Sequence, residues 1–320
     1  MKIIALIPIK NEAWILKTCL SSLKKYTDEI IVMDDNSTDE SVNIAQSFGA
    51  TIYKNDTNNV TYFSEYKVRE RLLQIGRERQ GTHFIFLDAD ETFSSNIKPH
   101  ELREKMKLLK PGGKIFLQWV PLWKTAKEFR QDDRGIFEKT FKDFIFCDDN
   151  TSHHEYVYIG VGRTPGKNDD CTYIDSKDGV VLHFQFIAWK RNEYKQAWYK
   201  CSELINGQRT ARRINATYQH LLTDKKAKKI KTPDNWIDDI LLPEKDDLDK
   251  SNTWYIESIR KIFDIHGIIF FEPLEIWHID ELRQMFIEKT GRKPVPKTFP
   301  IFILRLNDLK NKIKNKIQKR

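Results

Sequence analysis

Asp88 and Asp90 stand one residue apart, directly after the apolar run His83–Leu87, and Glu91 follows at once. Carboxylates this close repel one another unless a cation or hydrogen-bond donors relieve them. Hard divalent ions such as Mg²⁺ or Mn²⁺ take oxygen ligands of this kind, commonly one or two carboxylates plus substrate phosphates. An ion held there would stabilise negative charge building on a diphosphate leaving group. Folding offers a plainer use, in which Asp88 and Asp90 form a loop or cap the following helix. Two further polar clusters also follow short apolar runs: Lys10-Asn11-Glu12 after Lys2–Ile7, and Asp34-Asp35-Asn36 after Glu29–Met33.

The elements that must position these clusters alternate between strand and helix. Lys2–Ile7, Glu29–Met33, Thr51–Lys54, His83–Leu87 and Lys114–Val120 read as strands, from apolar runs of buried-strand length. Helical signals fall between them, at Ala13–Lys25, up to Phe48 with Gly49 as C-cap, at Tyr62–Arg79 and at Pro99–Leu109. Such alternation predicts an α/β fold, a mostly parallel sheet with helices on both faces. Ligands of these sheets sit beyond the carboxyl ends of the strands, so all three polar clusters are expected along one rim. Beyond residue 122 the pattern loosens. Phe137–Phe146 and Tyr173–Phe186 are strand-like, Lys190–Ile205 is helical, and the basic run Lys225–Lys231 reads as a surface turn or linker. The expected division is a nucleotide-sugar-binding and catalytic domain over 1–215 and a mainly helical extension over 216–320.

Three segments occur in order, each at a strand end: Ile-Pro-Ile-Lys-Asn-Glu (7–12), Val-Met-Asp-Asp-Asn-Ser-Thr-Asp (32–39) and Phe-Leu-Asp-Ala-Asp-Glu (86–91). Together they resemble the family 2 glycosyltransferases of the GT-A (Rossmann-like) fold. The resemblance implies that Pro8, Asn11, Glu12 and Asp35 contact the nucleoside of a nucleotide-diphosphate sugar donor. It casts Asp88 and Asp90 as the metal motif for Mn²⁺ or Mg²⁺, with Asp90 the direct ligand. It also implies an arginine reaching the diphosphate from the preceding helix, for which Arg71 stands nearest, one residue out of register.

Inverting members use a carboxylate to deprotonate the acceptor hydroxyl. The usual acidic pair for that base is not clear here. His153-His154-Glu155 looks like the His-Glu of the branch that carries the LDADE form of the metal motif, typical of enzymes building bacterial surface glycans. That likeness assigns Glu155 as base, with Asp148 or Asp149 as substitutes, against a surface His-His-Glu without a role. A late histidine often returns to the metal in GT-A enzymes, which implies His183 as a metal or phosphate ligand, although a histidine in an apolar strand is commonly structural. Trp189, Lys190 and Arg191 are placed by the resemblance near the diphosphate or acceptor, or on a solvated helix face. The implied reaction moves a sugar to a hydroxyl of a glycan or lipid-linked acceptor, with inversion.

The bulk properties are compatible with this reading. Of 320 residues, 31% are charged and 40% hydrophobic, as in an ordinary globular chain able to bury a sizeable core. A formal charge of +8 favours an anionic partner without choosing one. A nucleic-acid-binding protein is the non-enzymatic competitor, but the lysine run 225–231 lacks interleaved aromatics and no nucleic acid is expected. A sugar nucleotidyltransferase is the other, and no Gly-rich phosphate loop lies near Pro8–Glu12. Four scattered cysteines suggest neither a zinc site nor a disulfide framework, and a reducing cytoplasm is the expected setting. Phe302, Leu306, Leu309, Ile313 and Ile317 share one helical face among lysines and arginines, which predicts peripheral contact with an anionic membrane from the cytoplasmic side.

Overall fold

The computed structural model describes residues 1–55, 65–133, 135–155, 163–224, 227–250 and 253–297. In chain order its elements begin with β1 (Ile3–Ile9), α1 (Ala13–Leu23), β2 (Glu29–Asp34), α2 (Ser41–Ser47), β3 (Thr51–Lys54), α3 (Glu65–Glu78) and β4 (His83–Phe86). They continue with β5 (Glu91–Phe93), α4 (Pro99–Lys107), β6 (Lys114–Pro121), β7 (Glu128–Arg130), β8 (Thr140–Cys147), β9 (Cys171–Tyr173) and β10 (Val180–His183). The remainder is α5 (Trp189–Asn206), α6 (Ala211–Gln219), β11 (Lys229–Lys231), α7 (Asp234–Ile237), α8 (Lys245–Lys250), α9 (Thr253–His266) and α10 (Asp280–Thr290).

The main sheet runs β3-β2-β1-β4-β8-β6-β10-β5, with β9 added beside β6. Pairings are parallel from β3 through β4 and again between β6 and its neighbours β10 and β9. They are antiparallel where β8 enters between β4 and β6, and at β5. The expected α/β architecture with a mostly parallel sheet is therefore what the chain forms.

β1 shows why its apolar run is unbroken. Successive side chains of a strand point to opposite faces. Ile3, Ala5, Ile7 and Ile9 pack with Leu16, Leu20 and Leu23 of α1. Ile4 and Leu6 pack on the other face with Leu72, Leu73 and Ile75 of α3. A strand buried on both sides has no solvated face to be polar.

The chain divides into two compact units, Met1–Trp189 with Lys226–Ser251, and Lys190–Lys225 with Asn252–Arg320. This differs from a single boundary at residue 215, because the chain returns to the sheet-bearing unit after α6. There β11 pairs antiparallel with β7, and Trp236 joins a core cluster with Trp14, Phe129 and Phe184. The basic run expected as a turn or linker is thus partly a strand. In β11 the lysines alternate with Ile230, which packs on that cluster while Lys229 and Lys231 face solvent.

The second unit is mainly helical. Phe263 packs on Phe271 and Trp277, and Trp277 on Phe286 of α10. Lys200 of α5 is buried and donates to the Glu275 carbonyl at 2.7 Å. Among the described residues no helix is long and apolar enough to cross a membrane. The amphipathic tail 302–320 lies outside the described residues.

Candidate active site

The first two polar clusters are knitted together at the carboxyl ends of β1 and β2. The register pairs Ile9 with Asp34, and the Asp35 amide donates to the Ile9 carbonyl at 2.9 Å. Asn11 and Asn36 both adopt left-handed backbone, φ 54° and 57°, which asparagine tolerates better than most residues. That turn aims the Asn11 amide at Ser37 Oγ (2.9 Å), while Asn11 Oδ1 accepts from the Thr38 amide (2.7 Å). The Glu12 amide donates to Ser41 Oγ at 2.8 Å, and the Glu12 carboxylate accepts from Trp14 Nε1 at 2.7 Å. Asp35 accepts from Lys10 Nζ at 2.6 Å and from Asn55 Nδ2 at 3.0 Å. Pro8 lies within β1 opposite Met33. Pro8, Asn11, Glu12 and Asp35 therefore occupy neighbouring positions along the rim.

The third cluster is a charge network. Asp88 sits between two guanidiniums, Arg69 Nη2 on Oδ1 at 2.6 Å and Arg163 Nη2 on Oδ2 at 2.9 Å. Burial opposes its ionisation, but Arg163 and Arg69 outweigh that and hold its carboxyl far below the usual carboxylate range. Glu91 is buried and fully used: Oε1 accepts from Trp119 Nε1 (2.7 Å) and Arg163 Nη2 (2.5 Å), and Oε2 from the Asp88 amide (3.0 Å). Its pKa is raised, by burial first and by Asp88, with Arg163 and His183 opposing.

Asp90 is also buried, and its Oδ2 faces His183 Nε2 at 3.4 Å. The pair exists because the chain turns back after the motif. β5 runs antiparallel to β10 and sets Glu91 opposite His183. The His183 ring lies 4.5 Å from Trp119, centroid to centroid.

An octahedral ion with bonds of about 2.1 Å sets adjacent ligands about 3 Å apart, so a carboxylate oxygen and a ring nitrogen in this relation suit one divalent cation. Among the described residues no group of three or more His, Cys, Asp or Glu side chains converges as a cage. A cation here would take its remaining ligands from water and substrate phosphates. Asp88 does not share the geometry, since both its oxygens are engaged by arginines.

The α3 arginine that contacts the acidic motif is Arg69, whereas Arg71 does not reach it. Arg71 is 53% exposed and pairs with Glu78 on the outer face of α3. Arg69 falls on the buried face with Val68, Leu72 and Leu73 and is also held by Glu65. The apolar spacing of α3 carried that signal, because positions two apart on a helix lie on opposite sides. Arg163 had no such signal, as it follows no periodic segment. Lys142, whose Nζ lies 3.6 Å from the Trp119 ring centroid, was also not singled out.

The late candidates are placed differently. Glu155 is exposed, with His153 Nε2 at 3.7 Å. The Asp148 side chain is 3% exposed and doubly bonded by Arg77, and Asp149 caps the turn at Thr151 and Ser152, so both carboxylates already hold local structure. Trp189 opens α5 and lies against Trp123 and Lys124. Arg191 is fully buried against Tyr255, so no solvated face explains it, whereas Lys190 is exposed.

Residues 4–153 match the family model described as Glycosyl transferase family 2. An uncharacterized glycosyltransferase of Rickettsia typhi is 25% identical over 211 residues, covering 63% of this chain and 66% of that protein. Another, from Rickettsia conorii, is 29% identical over 168 residues, covering 49% and 55%. The chain thus spans no more than 66% of the length of these relatives. Among solved structures, that of S. aureus TarS 1–349 aligns with 91% of this chain and 92% of its own at 14% identity, with a TM-score of 0.38.

Proposed function

We propose that this chain, whose residues 4–153 match the model of glycosyl transferase family 2, moves a sugar from a nucleotide-diphosphate donor to a hydroxyl of a glycan or lipid-linked acceptor, with inversion and with a divalent cation. The observation that carries this reading is the pairing of Asp90 with His183 at 3.4 Å, beside strand ends that bear Asn11, Glu12 and Asp35. Asp90 and His183 would hold Mn²⁺ or Mg²⁺. When bound, the ion supplies positive charge for the departing diphosphate. Asp88 acts through its arginines, keeping Arg69 and Arg163 aimed at the motif. Pro8, Asn11, Glu12 and Asp35 take the nucleoside, and the sheet-bearing unit carries donor binding and catalysis.

Glu155 is the base in this scheme. It takes the acceptor hydroxyl proton as that oxygen attacks the anomeric carbon, and the bond from that carbon to the diphosphate breaks on the opposite side. Its exposure leaves room for an acceptor to approach. The basic apolar-striped segment 302–320 supports peripheral membrane contact, suited to a membrane-anchored acceptor in a cytoplasmic setting.

A thermal-shift screen of nucleotide sugars with and without Mn²⁺ tests the donor half. The right donor at a hundredfold excess over Kd stabilises by about 2.7 kcal/mol, and a screen in which no nucleotide sugar shifts the transition would remove the reading. NMR of an early product tests inversion, and retention of the donor's anomeric configuration would refute it.

A further inference from the structure

Most charged groups around the acidic motif are tied to an opposite charge. Asp88 has two arginines, Glu91 shares Arg163, and Arg69 bridges Asp88 and Glu65. Lys142 differs. Among the described residues it has neither an ion-pair nor a hydrogen-bond partner, and its ammonium rests over the Trp119 ring at 3.6 Å. Trp119 in turn donates to Glu91 and stacks beside His183. One indole therefore fixes the lysine beside both Glu91 and the histidine that faces Asp90.

Strand order says what lies there. The clusters assigned to the nucleoside end β1 and β2, the acidic motif ends β4, and β8 and β6 come next on the far side. Lys142 is the third residue of β8, which runs antiparallel to β4 and β6, so it lies toward the same rim. A diphosphate passing Asp90 from the β1 side reaches this region with its sugar-bonded phosphate.

Formal charge points the same way. Asp88, Asp90, Glu91 and Glu65 set four negative charges against the three positive ones of Arg69, Arg163 and Lys142. A divalent cation then turns the net charge of the group positive, which favours an anionic diphosphate beside it. Burial lowers the Lys142 pKa to about 8, Arg163 pushing the same way while Glu91 and Asp88 oppose. A desolvated ammonium of this kind gains from an anion placed against it.

We propose that Lys142 is a further catalytic residue, the cation that contacts the sugar-bonded phosphate of the donor diphosphate and takes up its charge as it leaves. The inference rests on the nucleotide-sugar reading above. As the carbon–oxygen bond breaks, its electron pair stays on the phosphate oxygen. Lys142 keeps its proton and supplies only charge.

The test measures binding of UDP, GDP, ADP and CDP, and of the matching monophosphates, to the full chain with Mg²⁺. Lys142→Met is expected to weaken the bound diphosphate by ~10-fold or more, while the monophosphate changes by less than ~3-fold and Lys142→Arg retains most of the diphosphate affinity. Equal losses for mono- and diphosphate, or none, would overturn the role of Lys142. Failure of the wild-type chain to bind any nucleoside diphosphate would instead overturn the nucleotide-sugar reading and the inference with it.

A pH series on the wild type guards against a misfolded Met variant. Of the groups acting on Lys142, Arg163, Asp88 and Arg69 hold their charge states from about pH 7.5 to 9.5, and Glu91, whose pKa burial raises, is common to the wild type and Lys142→Arg. Diphosphate affinity should therefore fall over that range in the wild type and stay level in Lys142→Arg. A level wild-type profile also overturns the inference.

Discussion

Asp88 is charged because two arginines make it so, and Asp90 is buried facing a histidine. Two aspartates one residue apart thus have different work. Asp90→Asn removes a carboxylate from the proposed cation site and should abolish turnover while the thermal transition stays close to wild type. Near-normal activity in that variant would end the cation mechanism. Arg69 is 2% exposed and bonded to two carboxylates, so Arg69→Met should cost about 3 kcal/mol. Arg71→Met should cost less than about 0.5 kcal/mol, since its pair with Glu78 is solvated.

The Arg69 effect has a definite pH sign. The Asp88 pKa is depressed in the folded state, so its contribution is complete above the unfolded pKa near ~4 and is lost as pH falls toward the folded value. The stability gap between wild type and Arg69→Met should narrow below about pH 4 in denaturant titrations; a gap that widened on acidification would contradict the network. For the base, Glu155→Gln should lower turnover by ~100-fold or more with donor binding intact. A normal rate there would move the role to Asp148 or Asp149, at the expense of the bonds these residues now make.

At the scale of elements, the site depends on how closely α3 approaches the sheet. A Cβ on Gly76 would meet Phe84 of β4 at 2.5 Å, so the glycine permits the contact that seats Arg69 over Asp88. Gly76→Ala gains about 1 kcal/mol of helix propensity but overpacks an interface, where the usual cost is about 1–3 kcal/mol. The net expectation is a lower denaturation midpoint together with reduced donor affinity, because α3 must shift away from the motif. Unchanged stability with unchanged affinity would show that Phe84 turns aside without moving the helix. β5 has a comparable role on the other side. It is only three residues long, yet its antiparallel pairing with β10 is what brings His183 to Asp90.

At the scale of the whole molecule, a net charge of +8 is distributed over a chain with two proposed anionic partners: nucleotide diphosphate, and membrane lipid for residues 302–320. The two are separable by experiment. Removal of divalent ions with EDTA should abolish transfer and leave liposome association unaffected, whereas truncation after Arg305 should do the reverse in a sedimentation assay. Membrane binding should require anionic lipid and weaken with salt, since each cation near the surface contributes about 1 kcal/mol within a Debye length. Equal sedimentation of full-length and truncated chains would assign the tail to another purpose.

Local sequence determined the elements and the rim. Buried parallel strands are continuous apolar runs, helices show a period, and the strand ends are marked by polar clusters, so β1 to β4 and the three motifs were legible without coordinates. Asp88 and Asp90 stood out because two adjacent carboxylates need a physical reason. What the linear pattern did not carry was who meets whom. Three-residue strands such as β5 and β11 are too short for alternation to register, and it is their pairing with β10 and β7 that makes them strands. Arg163, Lys142 and Trp119 reach the motif from segments far from it in sequence, so no spacing rule links them to Asp88. The choice of Arg69 over Arg71 lay between these cases, written in the apolar face of α3 but decided by the packing that buries it. Only tertiary structure divides the acidic motif into an arginine-bound Asp88 and a histidine-facing Asp90, because charge is settled by neighbours that the fold supplies.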